Sequence, residues 1–279
     1  MSTYDPFAAP NSKTLLGIEN GGTLNHYSDG FFRPVQSFDF WRMVSAPFKS
    51  PNWAMNLLWM FVCELGAIVV IGRVVAFGYM AEVAEARSGG KSESWPDFVP
   101  ERFNEYLMRG LWPFIWSVIW SIPMVLIVWV PGFLTISLAN LLSQNGSQAP
   151  GAIVAIVGGA ACVFVMLCFA LAMLASMVHS ALGNDFMKGA DLKWVWSYLS
   201  KVGSTTAVAC FLYGLVGMAA SVAGFMFFCV GIFLVSPLMS LLAADLFAQL
   251  HDIFVYRGGV PAFAVPELGE EIIEAQLVL

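Results

Sequence analysis

Between Gly110 and Asn184 the sequence contains no aspartate, glutamate, lysine or arginine. Membrane-spanning helices need only about 20 mainly apolar residues, so this tract is long enough for more than one crossing. Only the polar residues 143–148, just before Pro150, interrupt it. The tract therefore predicts two lipid-embedded helices joined by a tight turn.

The two arms of this predicted hairpin, roughly residues 110–142 and 151–182, are unusually long. At about 1.5 Å per residue each arm would measure about 50 Å, whereas a hydrocarbon core is about 30 Å thick. Pro123 and the pair Pro131–Gly132 lie in the first arm. Because each proline removes a backbone hydrogen bond, we expect a long, kinked helical hairpin.

Two further apolar segments complete the predicted fold. Residues 53–80 form one segment, and the charge-free stretch 202–244 is long enough to be divided near Gly224 into helices at about 204–222 and 226–250. The sequence thus predicts an all-α integral membrane protein with about five transmembrane helices. Their short turns favour antiparallel neighbours.

Lysine and arginine in the short loops predict the orientation. The loops 81–109 and 183–203 carry several cations and the turn 143–150 carries none, so we expect the first two loops and the C-terminus in the cytoplasm. A single span at 53–80 would place the cations of residues 1–50 outside, against the positive-inside rule. A re-entrant hairpin that breaks near Gly66 or Gly72 is the alternative, provided that protein shields its non-helical backbone.

The chain divides into three predicted regions. Residues 1–50 are polar and aromatic and should contain an interfacial helix at about 36–49, residues 51–256 form the transmembrane domain, and residues 257–279 are an acidic tail. No apolar signal segment opens the chain. The lipid bilayer is the expected partner of the middle region, and docking onto another subunit is an alternative use of both ends.

Charge and motif content exclude several function classes. Against 13 Lys+Arg stand 19 Asp+Glu, with no basic stripe, so we expect no nucleic-acid partner. The cysteines lie in apolar stretches without metal-ligand spacing, and no G-x-S-x-G elbow or H-x-x-x-H pair occurs. We expect no catalytic residue, metal or cofactor. A set of polar residues at helix ends is interpreted as interfacial, and its members are His179, Asp185, Asp245, His251 and Asp252.

The order of several short motifs resembles a known family. The segment Pro47–Phe48, Pro51 and Trp53 leads into an apolar stretch that ends Gly78–Tyr79–Met80, and Trp95–Pro96–Asp97–Phe98 follows before Gly110. This order is similar to a prokaryotic multi-pass membrane family known as domain of unknown function four thousand and thirteen. The clear similarity covers about residues 33–123. The resemblance implies a bacterial or archaeal plasma-membrane protein and supplies no activity or site residue.

Glu64 and Arg73 form the candidate intramembrane polar site, because they are the ionisable residues well inside the first apolar segment. An intramembrane charge costs at least about 2.5–3.5 kcal/mol and should be paired or hydrated. Nine residues apart on one helix they would not face each other, so a direct pair needs a bend. They could mark a polar pathway, or they could be satisfied by snorkelling and by a neighbouring helix.

A set of tryptophans and a set of glycines suggest surfaces that contact lipid or other helices. Trp112, Trp116 and Trp120 recur every four residues and form one stripe, which predicts packing or lipid-interface anchoring. The candidate helix-packing residues are Gly158, Gly159, Gly214 and Gly217.

These features favour a non-enzymatic inner-membrane protein that scaffolds or anchors a larger assembly, with partner subunits or a second copy of the chain. The alternative is a transporter or channel for a small solute or lipid, because broken helices often line substrate sites. We find no convincing repeat between residues 53–142 and 151–250.

Overall fold

A computed structural model describes residues 35–66, 70–89, 95–144, 148–226 and 231–263. These residues belong to one compact unit, Arg33–Ala264. Every regular element among them is helical. In chain order the α-helices are α1 (Phe40–Ser45), α2 (Trp53–Gly66), α3 (Ile71–Arg87), α4 (Phe103–Gln144), α5 (Gln148–Gly183), α6 (Phe186–Gly189), α7 (Leu192–Met226) and α8 (Ile232–Tyr256).

Four of the described helices are long and apolar enough to cross a membrane, and they include most of α4, α5, α7 and α8. This confirms the prediction of an all-α integral membrane fold. Pro113, Pro123 and Pro131 all lie inside α4, which pairs extensively with α5 along the predicted hairpin. Helix α7 continues through Gly224 to Met226 and α8 begins at Ile232, so the expected division near Gly224 is wrong. A Cβ on Gly231 would collide with the backbone of Gly224, so Gly231 lets the two helices approach closely.

The segment 53–80 is divided, as the re-entrant alternative requires. Helices α2 and α3 have 14 and 17 residues, or about 21 and 25 Å, each shorter than a hydrocarbon core of about 30 Å. Val70 adopts a positive φ of 68° between them. A Cβ on Gly66 would lie 3.4 Å from Cα of Gly72, so the two glycines allow the helices to meet closely at the tip.

One end of the molecule contains most of the buried side chains. At this end, which we call the charged end, α1 contacts the C-terminal ends of α3 and α8. The N-terminal end of α4 packs here on α3, and the N-terminal end of α7 packs on the C-terminal ends of α5 and α8. Tyr79, Tyr198 and Phe254 are completely buried there. The other halves of the long helices expose large apolar residues such as Trp129 and Ile156, as expected of surfaces that face lipid.

Candidate functional site

The first polar cluster lies at the tip of the α2–α3 hairpin. Nη1 of Arg73 is 2.5 Å from Oε1 of Glu64, and the hydroxyl of Ser240 in α8 donates to the same oxygen at 3.3 Å. The Arg73 guanidinium also lies 4.9 Å from the ring centroid of Phe77. The side chains of Arg73 and Glu64 remain 39% and 16% exposed. The break between α2 and α3 provides the bend that a direct pair requires.

A second cluster is buried at the charged end, and we call it the Asp245 cluster; its members are Asp39, Arg42, Arg87, Asp245 and Gln249. Nε of Arg87 donates to Oδ1 of Asp245 at 2.5 Å, and Nε of Arg42 lies 3.5 Å from the same oxygen. Asp245 is completely buried, and burial lowers the pKa of Arg87 from its ordinary value although the charge of Asp245 opposes that shift.

Gln249 connects this cluster to the start of α1. Its amide nitrogen donates to Oδ2 of Asp245 at 2.7 Å and to the backbone oxygen of Asp39 at 3.1 Å, and its amide oxygen accepts from the Asp39 backbone nitrogen at 2.8 Å. The Asp39 carboxylate accepts from the backbone nitrogen of Arg42 and so caps α1. The cluster therefore fastens α1 to α3 and α8.

A third group of hydrogen bonds joins the end of α3 to the end of α8. The Asp252 carboxylate accepts from the hydroxyl of Ser88 at 2.5 Å and from the backbone nitrogen of Gly89 at 2.8 Å. Nε2 of His251 accepts from the backbone nitrogen of Ala262 at 3.1 Å. Its Nδ1 therefore carries the proton and donates to Ser88, 3.0 Å away. These bonds hold the end of α3 against α8 and fold the segment after α8 back onto His251.

Helices α3 and α4 touch at the backbone level. A Cβ on Gly78 would collide with the backbone of Tyr106, and one on Gly110 would collide with the backbone of Val74. Close glycine contacts of this kind bring polar groups on the same two helices into reach.

Ion pairs flank this α3–α4 contact. Glu82 accepts from Nη1 of Arg102 at 2.7 Å, and Arg109 pairs with Glu85. Burial raises the pKa of Glu82, and the attraction of Arg102 and Arg109 opposes the rise. These charges lie within protein contacts at the charged end.

The remaining helix-end polar residues do not converge on a metal. Within the described ranges no group of three or more His, Cys, Asp or Glu side chains could hold a metal ion. His179 stacks on Trp194 with ring centroids 4.0 Å apart. Asp185 is exposed and caps α6 by accepting from the backbone nitrogen of Met187.

The tryptophan stripe of α4 faces α5 and α6. Trp116 stacks on Phe186 and donates from Nε1 to its backbone oxygen at 2.9 Å. Trp112 contacts the same ring, and Trp120 packs edge-on against Phe169 of α5. The stripe thus lies in helix contacts.

The four candidate packing glycines differ in their surroundings. A Cβ on Gly158 would collide with Thr135 of α4, and one on Gly217 would lie 3.0 Å from the terminal methyl of Met239 in α8. Gly159 and Gly214 have open space at this position. Two of the four glycines therefore face neighbouring helices.

Residues 61–243 match the model of a family described as Protein of unknown function (DUF4013). The chain belongs to the DUF4013 family. The expected resemblance is confirmed, and it extends from α2 into α8, well beyond residue 123. No curated protein and no solved structure matched the chain.

Some residues of the polar clusters lie inside the region that matches the DUF4013 family, and others lie outside it. Glu64, Arg73 and Arg87 lie within the matched residues, whereas the Pro47–Trp53 segment and Asp245 lie outside them. The α8 residues of the buried clusters therefore follow the family region along the chain.

Sequence reasoning missed the Asp245 cluster as a unit. One signal was available: Asp245, Gln249 and Asp252 are spaced four and three residues apart, so they share one face of a helix that is otherwise mostly apolar. Their partners Asp39 and Arg87 come from distant parts of the chain, and no local pattern identifies them.

Proposed function

We propose that this DUF4013 protein is a non-enzymatic scaffold or anchoring subunit of a larger assembly in a prokaryotic plasma membrane. The main support is the Asp245 cluster, in which buried charges bind one another and fix α1 to α3 and α8. Because this cluster fixes the relative positions of three helices, it favours a protein that binds partners at a constant surface over a protein that alternates between conformations.

The charged end offers the surface that such an assembly would use. Trp41 of α1 and Trp196 near the start of α7 are each 74% exposed. Exposed aromatic residues beside cations are favourable both at lipid interfaces and in contacts between proteins. We place partner subunits, or a second copy of the chain, against this end.

The distribution of cations supports a cytoplasmic charged end. One described cation, Arg73, lies at the hairpin tip; the others lie at the charged end and are Arg42, Lys49, Arg87, Arg102, Arg109, Lys188, Lys193, Lys201 and Arg257. The re-entrant path of α2 and α3 returns the chain to the end from which it started. By the positive-inside rule, α1 and the C-terminal end of α8 both face the cytoplasm.

Sidedness is tested by single-cysteine labelling in a cysteine-free background. We expect Lys49→Cys and Lys193→Cys to react with an impermeant maleimide only after the cells are opened. Pro150→Cys, at the exposed start of α5, should react in intact cells. Labelling of Lys49→Cys from outside would show that α1 lies on the opposite side.

The anchoring role is tested by the mass of the protein extracted in a mild detergent. We expect a particle larger than one 30.4 kDa chain plus its detergent, and a smaller particle for Trp41→Ala or Trp196→Ala. Trp129→Ala is the matched control: Trp129 is 71% exposed, and it lies in the half of α4 that is farther from the charged end. A uniform monomer for the unaltered protein would contradict the proposal.

A transporter or channel for a small solute or lipid is the second candidate. The broken α2–α3 hairpin with an ion pair at its tip favours it, since interrupted helices often form substrate sites in transporters. Flux across vesicles containing the purified protein, abolished by Glu64→Gln, would support this candidate over the scaffold.

A further inference from the structure

The Arg73–Glu64 pair contacts α8, which is long and apolar enough to span a membrane. Ser240 donates to Glu64 and belongs to the candidate span Phe233–Tyr256. At about 1.5 Å per residue, Ser240 is about 11 Å from the first residue of that span and about 24 Å from the last. A bilayer that covers this part of α8 would enclose the pair in its hydrocarbon region.

The surroundings of the pair are apolar and open. Leu65, Val70 and Ile71, which adjoin the break between α2 and α3, are each about half exposed. The Arg73 side chain is itself 39% exposed. A guanidinium carries five N–H donors in a planar fork, and among the described residues the Arg73 fork donates to Glu64 alone, through Nη1. The remaining donors have no hydrogen-bond partner among the described residues.

A partly exposed guanidinium in an apolar environment needs acceptors for its remaining donors. A charged side chain near the bilayer centre costs at least about 2.5–3.5 kcal/mol, and Glu64 neutralises the charge while using one donor. Phosphate oxygens match the guanidinium fork in two parallel hydrogen bonds and carry the opposite charge. An ammonium ion or a neutral sugar lacks this complementarity.

We propose that Arg73 binds the phosphate group of an anionic ligand at the hairpin tip. Glu64 is then the internal competitor: it occupies part of the guanidinium in the absence of ligand, and Ser240 holds it in place. The phosphate can belong to a lipid headgroup drawn into the membrane or to a soluble ion that enters from water. This site is independent of the scaffold role, which rests on the charged end.

Binding is measured on the full chain purified in a zwitterionic detergent, with phosphatidylglycerol and inorganic phosphate as separate probes and phosphatidylcholine as the neutral lipid. We expect saturable binding of at least one anionic probe, at least tenfold weaker binding for Arg73→Gln, and a smaller loss for Arg73→Lys. Lys193→Gln removes the same charge from an exposed position at the charged end and should leave the affinity unchanged.

Glu64→Gln separates a ligand site from a purely structural ion pair. If Glu64 competes with the ligand, its neutral variant binds phosphate at least threefold more tightly although the ligand-free protein is less stable. Binding of phosphatidylglycerol alone identifies a lipid source, and binding of inorganic phosphate identifies a soluble one. Equal affinities for Arg73→Gln and Lys193→Gln, or weaker binding by Glu64→Gln, would overturn the proposal. Arg73→Lys and Glu64→Gln keep the test valid if Arg73→Gln fails to fold.

Discussion

Asp245→Asn should be among the most destabilising single substitutions that preserve side-chain size. It removes the carboxylate charge that faces both Arg42 and Arg87, while Arg87 itself is 1% exposed. At an effective dielectric constant of about 20, two unit charges about 4 Å apart attract by about 4 kcal/mol. Removing one partner of a buried pair typically costs about 3–5 kcal/mol, because the remaining charge stays desolvated. We expect a loss in this range.

The loss is measured as the free energy of unfolding in detergent, by chemical denaturation followed with circular dichroism. A cost of about 3 kcal/mol corresponds to more than a hundredfold change in the folding equilibrium, since each 1.4 kcal/mol is about tenfold. Asp185→Asn is the matched control: Asp185 is exposed and caps α6, and asparagine caps a helix about as well. The control should stay within about 0.5 kcal/mol of the unaltered protein.

A double variant shows whether the effect belongs to the pair. Arg87→Met alone leaves Asp245 short of a partner, whereas Asp245→Asn with Arg87→Met removes both buried charges. Residues in one ion-pair network usually deviate from additivity by about 0.5–3 kcal/mol, so the double variant should lose less than the sum of the single losses. Strict additivity, or a cost below about 1 kcal/mol for Asp245→Asn, would refute this account of the Asp245 cluster.

Three further predictions use the same unfolding measurement. Gly78→Ala should lower the free energy of unfolding by about 1–3 kcal/mol, because the added Cβ meets the backbone of α4. Gly214→Ala has open space around the added Cβ, so it should be neutral or stabilising by up to about 1 kcal/mol. Equal effects of the two substitutions would contradict the close contact at Gly78. Trp116→Phe should lose about 1 kcal/mol with its hydrogen bond, and Trp129→Phe should change stability by less than about 0.5 kcal/mol. The pKa of Glu82 in the folded state is raised above its ordinary value of 4.5, so the folded protein binds this proton more tightly than the unfolded chain does. The contribution of Glu82 to the free energy of unfolding should therefore fall as pH rises from about 4.5 through the raised pKa. Glu82→Gln should flatten that dependence, and an unchanged pH profile would contradict it.

Hydropathy and charge along the chain were enough to predict an all-helical membrane protein, the long hairpin with its prolines, and the need for a bend between Glu64 and Arg73. These features are local: each helix meets the cost of entering lipid through its own side chains and its own backbone hydrogen bonds. The choice between one span and a re-entrant hairpin at residues 53–80 was not local. It depends on how the neighbouring helices pack: α8 contacts both α2 and α3, and its Ser240 donates to Glu64 in α2.

The buried polar clusters were decided by tertiary contacts alone. Asp245 and Arg87 are 158 residues apart, and Asp39 and Gln249 are 210 residues apart. A carboxylate on an apolar helix has the same local pattern whether it faces a partner, a ligand or water, so its role is fixed only by the helices packed around it. The same reason separates Gly78, which admits the backbone of α4, from Gly214, which faces open space.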